Sequence, residues 1–350
     1  MSAAGVDVEN VAFGYGATPV LEDVSLSIRK GEFFAFLGPS GSGKTTLLRL
    51  VAGFGVPDRG RILIGGRDVT RDPPWKRNVG LVFQSYALWP HMTVAQNVAF
   101  GLERRRVPRA ERERRVRAAL DLVGLVHLID RRPAQLSGGQ QQRVAIARTL
   151  AIEPEVLLLD EPLSNLDAGL RAGVRQEMVE LQRRLGLTTI LVTHDQEEAN
   201  AAADRMAVLD GGHVLQVGTP TELYDRPANR FVAGFLGTAN LIDGQVTEDG
   251  RFRAGAATLP APPGATAGPA TLALRPQAIR LRRDGGADGN LAARVLRAEF
   301  LGGHVRYTLD VADGVTLIAE EPHLRTRETL GVGAPVTLDL DPQQVSLLRG

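Results

Sequence analysis

The chain has 350 residues, which fits two domains better than one, and its 43% hydrophobic content is normal for a globular protein with a core. A net charge of +1 excludes a general electrostatic footprint for nucleic acid or anionic lipid. The absence of cysteine excludes disulfides and thiolate-bound metals, and no apolar run approaches the roughly 20 residues of a membrane-spanning helix.

The start, Met1 to Asp7, lacks the basic-then-apolar layout of a signal peptide. The protein is therefore expected in the cytoplasm, with any membrane association made through partners. All but three of the 41 basic residues are arginine, the lysines being Lys30, Lys44 and Lys76. That bias reads as composition rather than phosphate recognition.

Phe33–Leu37 is apolar on both faces, as a parallel strand buried between helices would be. It runs into Gly38-Pro39-Ser40-Gly41-Ser42-Gly43-Lys44-Thr45, and Thr46 to Ala52 then reads as a helix. Glycines let backbone N–H groups curl around phosphates, Lys44 supplies a point charge for the β- and γ-phosphates, and the Thr45 hydroxyl suits Mg²⁺. Strand, loop and helix in that order aim a helix N-terminus at the anion. The segment binds a nucleoside triphosphate.

A long, mainly helical stretch follows. Thr93-Val94-Ala95-Gln96 reads as a capping box for a helix through Leu102, and Pro108 opens a second helix through Leu122. Around the second, Arg104–Arg106 and the arginines through Arg117 alternate with Glu103, Glu111 and Glu113, which predicts a solvated, salt-bridged face. Ser137 is a favoured cap for a third helix, Gln140 to Leu150, and Gly138 and Gly139 leave its first N–H groups accessible.

Two more apolar runs, Val156–Leu159 and Thr189–Thr193, end at Asp160-Glu161 and at His194-Asp195. Ligands of open α/β sheets sit beyond the carboxyl ends of strands, so these ends and the glycine loop are expected to converge. Asp210 to His213 signals a hairpin, and Thr219-Pro220-Thr221-Glu222 starts a short helix leading out of the domain. Near Gly237 the texture changes. From Asn240 onward short alternating runs such as Thr271–Leu274, Val305–Leu309 and Val336–Leu340, separated by proline and glycine turns, predict a small all-β barrel.

With Leu136-Ser137-Gly138-Gly139-Gln140 set beside the glycine loop, the chain resembles the nucleotide-binding subunit of an ATP-binding cassette transporter. The resemblance runs from about Val8 to Gly237, with the diagnostic motifs in order. It implies an α/β P-loop NTPase over residues 1–237 with a helical insertion at about 86–154, followed by an OB-like β domain over 240–350. Tyr15 then matches the aromatic that stacks on adenine, and residues 38–46, from Gly38 through Thr46, hold the phosphates. Asp160 matches the carboxylate that holds Mg²⁺ through water, with Thr45 and Gln84 as the other metal contacts. Glu161 matches the catalytic base and His194 the histidine that reaches the γ-phosphate. Ser164-Asn165-Leu166-Asp167 resembles the loop linking two active sites, with Asn165 where alanine is usual. The resemblance also implies that Ser137, Gly138, Gly139 and Gln140 bind the γ-phosphate held by Lys44 of a second copy, so that one chain carries two half-sites.

Ser85 to Val94, Phe235 to Leu241 and Leu274 to Ile279 resemble importers that work with a substrate-binding protein and carry a TOBE domain. The ferric-iron, polyamine and 2-aminoethylphosphonate group is the nearest likeness, with sugar importers slightly further away. This implies a peripheral subunit on the cytoplasmic face of the inner membrane. It would touch an integral-membrane permease through the Gln84–Val94 segment, and a binding protein only indirectly. In that segment Tyr86 reads equally as an exposed aromatic or as core of the helical insertion, whereas Trp89, followed by Pro90, is harder to bury. A soluble cassette ATPase of DNA repair or translation is a poorer match, since those usually carry paired cassettes or coiled-coil insertions. A nucleic-acid-binding barrel is disfavoured because only Phe252, Phe300 and Tyr307 are aromatic beyond Asn240.

Overall fold

The computed structural model describes residues 3–283, 291–312 and 314–349. The chain divides into two compact units, Met1–Pro220 and Thr221–Gly350. Strands of the first unit are β1 (Val6–Tyr15), β2 (Thr18–Ile28), β3 (Phe33–Leu37), β4 (Arg59–Ile64), β5 (Arg67–Asp68), β6 (Val79–Val82), β7 (Val156–Asp160), β8 (Thr188–Thr193), β9 (Arg205–Asp210) and β10 (His213–Gly218). Its helices are α1 (Lys44–Ala52), α2 (Val94–Arg104), α3 (Arg109–Leu122), α4 (Gly138–Leu150), α5 (Ala168–Leu185) and α6 (Gln196–Ala202).

A 4-stranded antiparallel sheet has the order β2-β1-β4-β5, and a 6-stranded sheet the order β10-β9-β3-β8-β7-β6. In the second, β9, β3, β8, β7 and β6 run parallel and only β10 returns antiparallel, through the expected hairpin. The two sheets share one core with α1. Val6 and Ile62 come from the first, Phe34, Phe36, Leu158 and Val192 from the second, and Leu47 and Leu48 from the helix. Each such fully buried side chain contributes roughly 1.5–3 kcal/mol, so the sheet ends are rigidly placed.

The helical insertion has its own core of Val94, Val98, Leu102, Val116, Leu120, Val144 and Ala147. In α2 the apolar residues recur at intervals of four, which sets one face inward. Thr93 caps it as expected: Thr93 Oγ1 accepts from Gln96 N at 3.2 Å and Gln96 Oε1 accepts from Thr93 N at 2.8 Å. On α3, Glu111 pairs with Arg114 at 2.7 Å and Arg115 at 2.6 Å, and Arg109 with Glu113 at 2.8 Å. Exposed pairs of this kind are screened by solvent, add little to stability, and mainly keep the outer face solvated.

The second unit contains α7 (Pro220–Asp225) from Thr221 onward, α8 (Arg230–Phe235) and β11 (Asn240–Val246), β12 (Arg251–Ala254), β13 (Ala257–Pro260), β14 (Gly268–Leu274), β15 (Ile279–Arg282), β16 (Leu291–Phe300), β17 (His304–Ala312), β18 (Val315–Pro322), β19 (Pro335–Leu340) and β20 (Val345–Leu348). They form two 5-stranded antiparallel sheets, β13-β12-β11-β14-β20 and β15-β19-β16-β17-β18, around a core that includes Phe252, Leu272, Val295, Tyr307, Leu317 and Leu338. The change of texture at Gly237 marks where strands begin, whereas the units part at Pro220. Arg275 explains the difference. Its guanidinium lies 3.8 Å from the Tyr224 ring centroid and donates to the carbonyls of Tyr224 and Ala233, both at 2.9 Å, which binds α7 and α8 to the β unit.

Arg77 is fully buried in the first unit, and its guanidinium bonds backbone carbonyls. It donates to Leu50 O at 2.6 Å and Val51 O at 3.0 Å, and to Asp72 O at 2.7 Å and Thr70 O at 3.1 Å. The end of α1, which begins in the glycine loop, is thereby tied to the segment leading into β6. Arg77→Met would leave these carbonyls without their donor. Urea denaturation followed by circular dichroism should show the first unit's transition weakened by about 3 kcal/mol or more, the scale of several buried unsatisfied groups. An unchanged midpoint would refute the cap.

Candidate functional site

The parallel strands end at one level. Leu37 of β3 pairs with Thr193 of β8, Asp160 of β7 with Val192, and Val82 of β6 with Leu159. The residues that follow these ends are therefore neighbours: the loop Gly38 to Gly43, His194, Glu161 and Gln84. The expected convergence of three strand ends is present, and β6, a short strand not anticipated from the sequence, supplies a fourth.

The loop is shaped by steric limits. A Cβ on Gly38 would come within 2.2 Å of Leu209 O, and Gly43 has φ +96 with Leu21 Cδ2 2.6 Å from where its Cβ would be. Only glycine fits both places. Lys44 is buried and donates to Gly38 O at 2.8 Å and Pro39 O at 2.7 Å. Burial lowers its pKa, against the opposing pull of Glu161 and Asp160, so its charge suits an anion that faces the loop.

Thr45 Oγ1 donates to Asp160 Oδ1 at 3.0 Å, so two of the three expected metal contacts touch. Burial raises the Asp160 pKa, and the Thr45 bond only partly opposes this. Hard oxygen donors on a desolvated carboxylate fit Mg²⁺. No cluster of three or more His, Cys, Asp or Glu exists among the described residues.

Glu161 sits at φ +45, a left-handed conformation rare for a residue with a side chain, and its N–H is fixed by Val192 O at 3.0 Å. Its carboxylate is held from two sides. Gln84 Nε2 donates to Glu161 Oε2 at 3.2 Å, and His194 Nδ1 lies 3.3 Å from Glu161 Oε1. Gln84 Nε2 is also 3.3 Å from Ser164 Oγ, and Asn165 Nδ2 donates to Gln84 O at 2.7 Å. The departure from alanine at Asn165 thus creates a direct tie between two loops. Its amide is what alanine lacks.

Ser137 and Gln140 form a reciprocal capping box at the start of α4, with Gln140 Oε1 accepting from Ser137 N at 2.9 Å and Ser137 Oγ accepting from Gln140 N at 3.4 Å. The helix begins at Gly138, two residues earlier than expected. Gly138 lies against Leu166 and Gly139 against Val174, so this turn packs on the segment around Asp167 and the first turns of α5. Asp167 is the exposed N-cap residue of α5. Tyr15 is 59% exposed, stands edge-on to Phe13 at 5.1 Å, and lines an open cleft with Thr46, Arg49, Phe54 and Phe83.

The segment after Gln84 decides between the two readings of Tyr86. It is 5% exposed and belongs to the interior, and burial raises its pKa. Tyr86 and Ala87 both adopt positive φ, which turns the side chain inward. Trp89 is half-buried, 4.1 Å from the Phe100 ring and 5.1 Å from the Arg148 guanidinium. Asn97, fully buried, accepts from Trp89 N at 2.9 Å. Arg148 itself was not foreseen. From the last turn of the helix that Ser137 caps, it donates to Tyr86 O at 2.8 Å and Ala87 O at 2.6 Å.

Residues 21–164 match the family model described as ABC transporter, and residues 272–348 that of the TOBE domain. The Fe(3+) ions import ATP-binding protein FbpC of Rhizobium etli is 47% identical over 349 residues, covering 98% of each chain. The sulfate/thiosulfate import ATP-binding protein CysA 2 of Chromobacterium violaceum is 48% identical, covering 96% of this chain and 93% of its own. A solved dimeric ATP-binding cassette in a post-hydrolysis state, bound to ADP and Pi, is 34% identical with a TM-score of 0.55, covering 61% of this chain and 98% of that one. The chain belongs to the ATP-binding cassette transporter family, as an import ATPase subunit with a TOBE domain.

Proposed function

We propose that two copies of the chain close around ATP, each nucleotide held by the Lys44 loop of one copy and by Ser137 of the other, and that this cycle energises solute import through a membrane permease. The observation that carries the reading is Glu161, a carboxylate gripped between Gln84 and His194 beside the Thr45–Asp160 pair. Around a γ-phosphate, Glu161 orients and polarises the attacking water, while Lys44 and His194 stabilise the charge on the phosphoryl oxygens. Tyr15 stacks on the adenine. Phosphoryl transfer needs positioning and charge stabilisation more than a shifted pKa, and this site supplies both. Thr45, Asp160 and Gln84 would hold Mg²⁺, which when bound neutralises charge between the β- and γ-phosphates.

Ser137 completes the site from the partner copy. The N-terminus of α4 carries free N–H groups at Gly138 and Gly139 and a positive dipole end, a suitable receptor for the γ-phosphate. ATP then bridges two subunits, and its hydrolysis removes the bridge. Affinity that differs between closed and open dimers drives the conformational cycle. The dimeric state named for the solved relative supports this arrangement.

Among the described residues no helix is long and apolar enough to cross a membrane. In this reading the subunit works from the cytoplasmic face by docking on the permease. The Gln84–Val94 segment receives the permease, with Trp89 as anchor, and an extracytoplasmic binding protein delivers the cargo. The cargo is ferric iron, or a polyamine or 2-aminoethylphosphonate handled by the same architecture, with a sugar as the alternative. The sulfate-named relative is as similar as the iron-named one, because cargo does not touch this subunit.

Glu161→Gln should retain ATP binding, lower turnover by about a hundredfold or more, and accumulate an ATP-bound dimer on gel filtration. Turnover within a few-fold of wild type would remove Glu161 from the mechanism. Lys44→Ala and Ser137→Arg chains should each be nearly inactive. Mixed, they should recover part of the wild-type rate through one intact composite site; full activity of Ser137→Arg alone would exclude the trans arrangement. Trp89→Ala should leave the isolated subunit's ATP affinity intact but prevent co-purification with the permease and uptake into vesicles. Normal assembly and uptake would place the docking surface elsewhere.

A further inference from the structure

His194 reaches Glu161 from a very short connection. Strand β8 ends at Thr193 and α6 begins at Gln196, so only His194 and Asp195 lie between them. The His194 side chain is 57% exposed and lies against Glu161 at its tip. Its position is therefore inherited from the backbone of the turn, and that turn is fixed on both sides. Asp195 Oδ1 accepts from Glu197 N at 2.8 Å and Glu198 N at 3.2 Å, while Thr193 Oγ1 accepts from Asp195 N at 3.0 Å. The Thr193 hydroxyl in turn donates to Glu198 Oε2. Thr193 and Glu198 are both buried, at 2% and 5% exposure.

We propose that Glu198 is a positioning residue for His194, its carboxylate holding the Thr193 hydroxyl and so setting the turn that presents the imidazole to Glu161 and the γ-phosphate. The inference rests on the assignment of His194 to the γ-phosphate made above. Glu198 Oε1 is buried without a hydrogen-bond partner and lines a cleft shared with Glu161, Arg171, Arg175, His194 and Asp195. A salt bridge or a full set of donors would make this an ordinary structural carboxylate, but Oε1 has neither. Burial is the main influence on its proton affinity and pushes its pKa up to about 7. The Thr193 bond opposes that rise. Asp195 reinforces it, and Arg175 and His194 oppose it. Arg171 lies 3.9 Å from Asp195 and partly offsets that carboxylate's charge.

The signs of two pH effects then differ. A charged carboxylate accepts a hydrogen bond more strongly than a neutral carboxyl, so the turn tightens and turnover rises as pH rises through about 7. Fold stability moves the other way. The folded chain holds the Glu198 proton that the unfolded chain has released above pH 4.5, so stability falls as pH rises from 4.5 to about 7. A residue that only supported the fold would change stability without changing the turnover profile at saturating ATP.

The test is ATP turnover of the full-length chain at saturating ATP from about pH 6 to 9, for wild type, Glu198→Gln, Thr193→Val, Thr193→Ser and His194→Ala. Glu198→Gln keeps the shape but cannot ionise; Thr193→Val removes the hydroxyl; Thr193→Ser restores it. Wild type and Thr193→Ser should rise with pH. Glu198→Gln and Thr193→Val should be flat and about five- to tenfold slower above neutrality, with the KM for ATP within about twofold of wild type. Glu198→Gln with wild-type turnover and profile overturns the proposal. If Glu198→Gln does not fold, a wild-type profile in Thr193→Val overturns it instead. An active His194→Ala would sink the γ-phosphate assignment, whereas an inactive His194→Ala beside an unaffected Glu198→Gln would sink only the role of Glu198.

Discussion

The in-register pairing of β3, β8, β7 and β6 is the constraint on which the site depends. Parallel strands whose last residues pair at one level must release their following residues side by side. Lys44, His194, Glu161 and Gln84 are far apart in sequence; the sheet gathers the segments that carry them at one end, where Gln84 and His194 both meet Glu161. A slip of one residue in β7 would send Asp160 and its neighbours to the opposite face, so the buried apolar residues that fix register also fix the chemistry. The core formed by Phe34, Phe36, Leu158 and Val192 serves catalysis in that sense.

Charge at the site is balanced by proximity rather than by a dedicated ion pair. Lys44 is partly desolvated and satisfied by carbonyls of its own loop, which leaves its positive field available to a ligand. Asp160 is desolvated too, with its pKa raised, and the Thr45 hydroxyl and the charges of Arg49 and Lys44 only partly oppose that rise. Buried charges without full partners are costly, and a phosphate with a divalent cation is the ligand that relieves both costs together.

The loops around this centre are joined by polar ties. Asn165 bonds the backbone of Gln84, and Gln84 bonds both Glu161 and Ser164. Farther along the same segment, Arg148 of α4 grips the carbonyls of Tyr86 and Ala87 and covers Trp89. One helix thus carries the Ser137 cap at its start and a clamp on the segment after Gln84 at its end. These contacts are discrete hydrogen bonds and a ring contact, so they can be made or broken as units, as a two-state coupling element requires.

The sequence by itself determined the elements whose reasons are local. The glycine loop, the three doubly apolar strands, the capping box of α2, the Ser137 cap of α4, the β9–β10 hairpin and the β-rich second unit follow from spacing, periodicity and turn chemistry over a few residues. It could not reveal what depends on packing between distant segments. β6 is only four residues long and carries Gly80, too weak a signal, and it becomes a strand because β7 offers an open edge. Tyr86 is inward because its backbone adopts a left-handed turn, and Arg77, buried, and Arg275, half-buried, cap carbonyls that several elements point at them. An arginine in such a sequence looks like any other surface charge. Glu198 is the same case: its place near His194 is visible along the chain, but its burial and its bond to Thr193 exist only once α6 folds back on β8. Local chemistry is written in neighbouring residues, whereas desolvation and register belong to the whole fold.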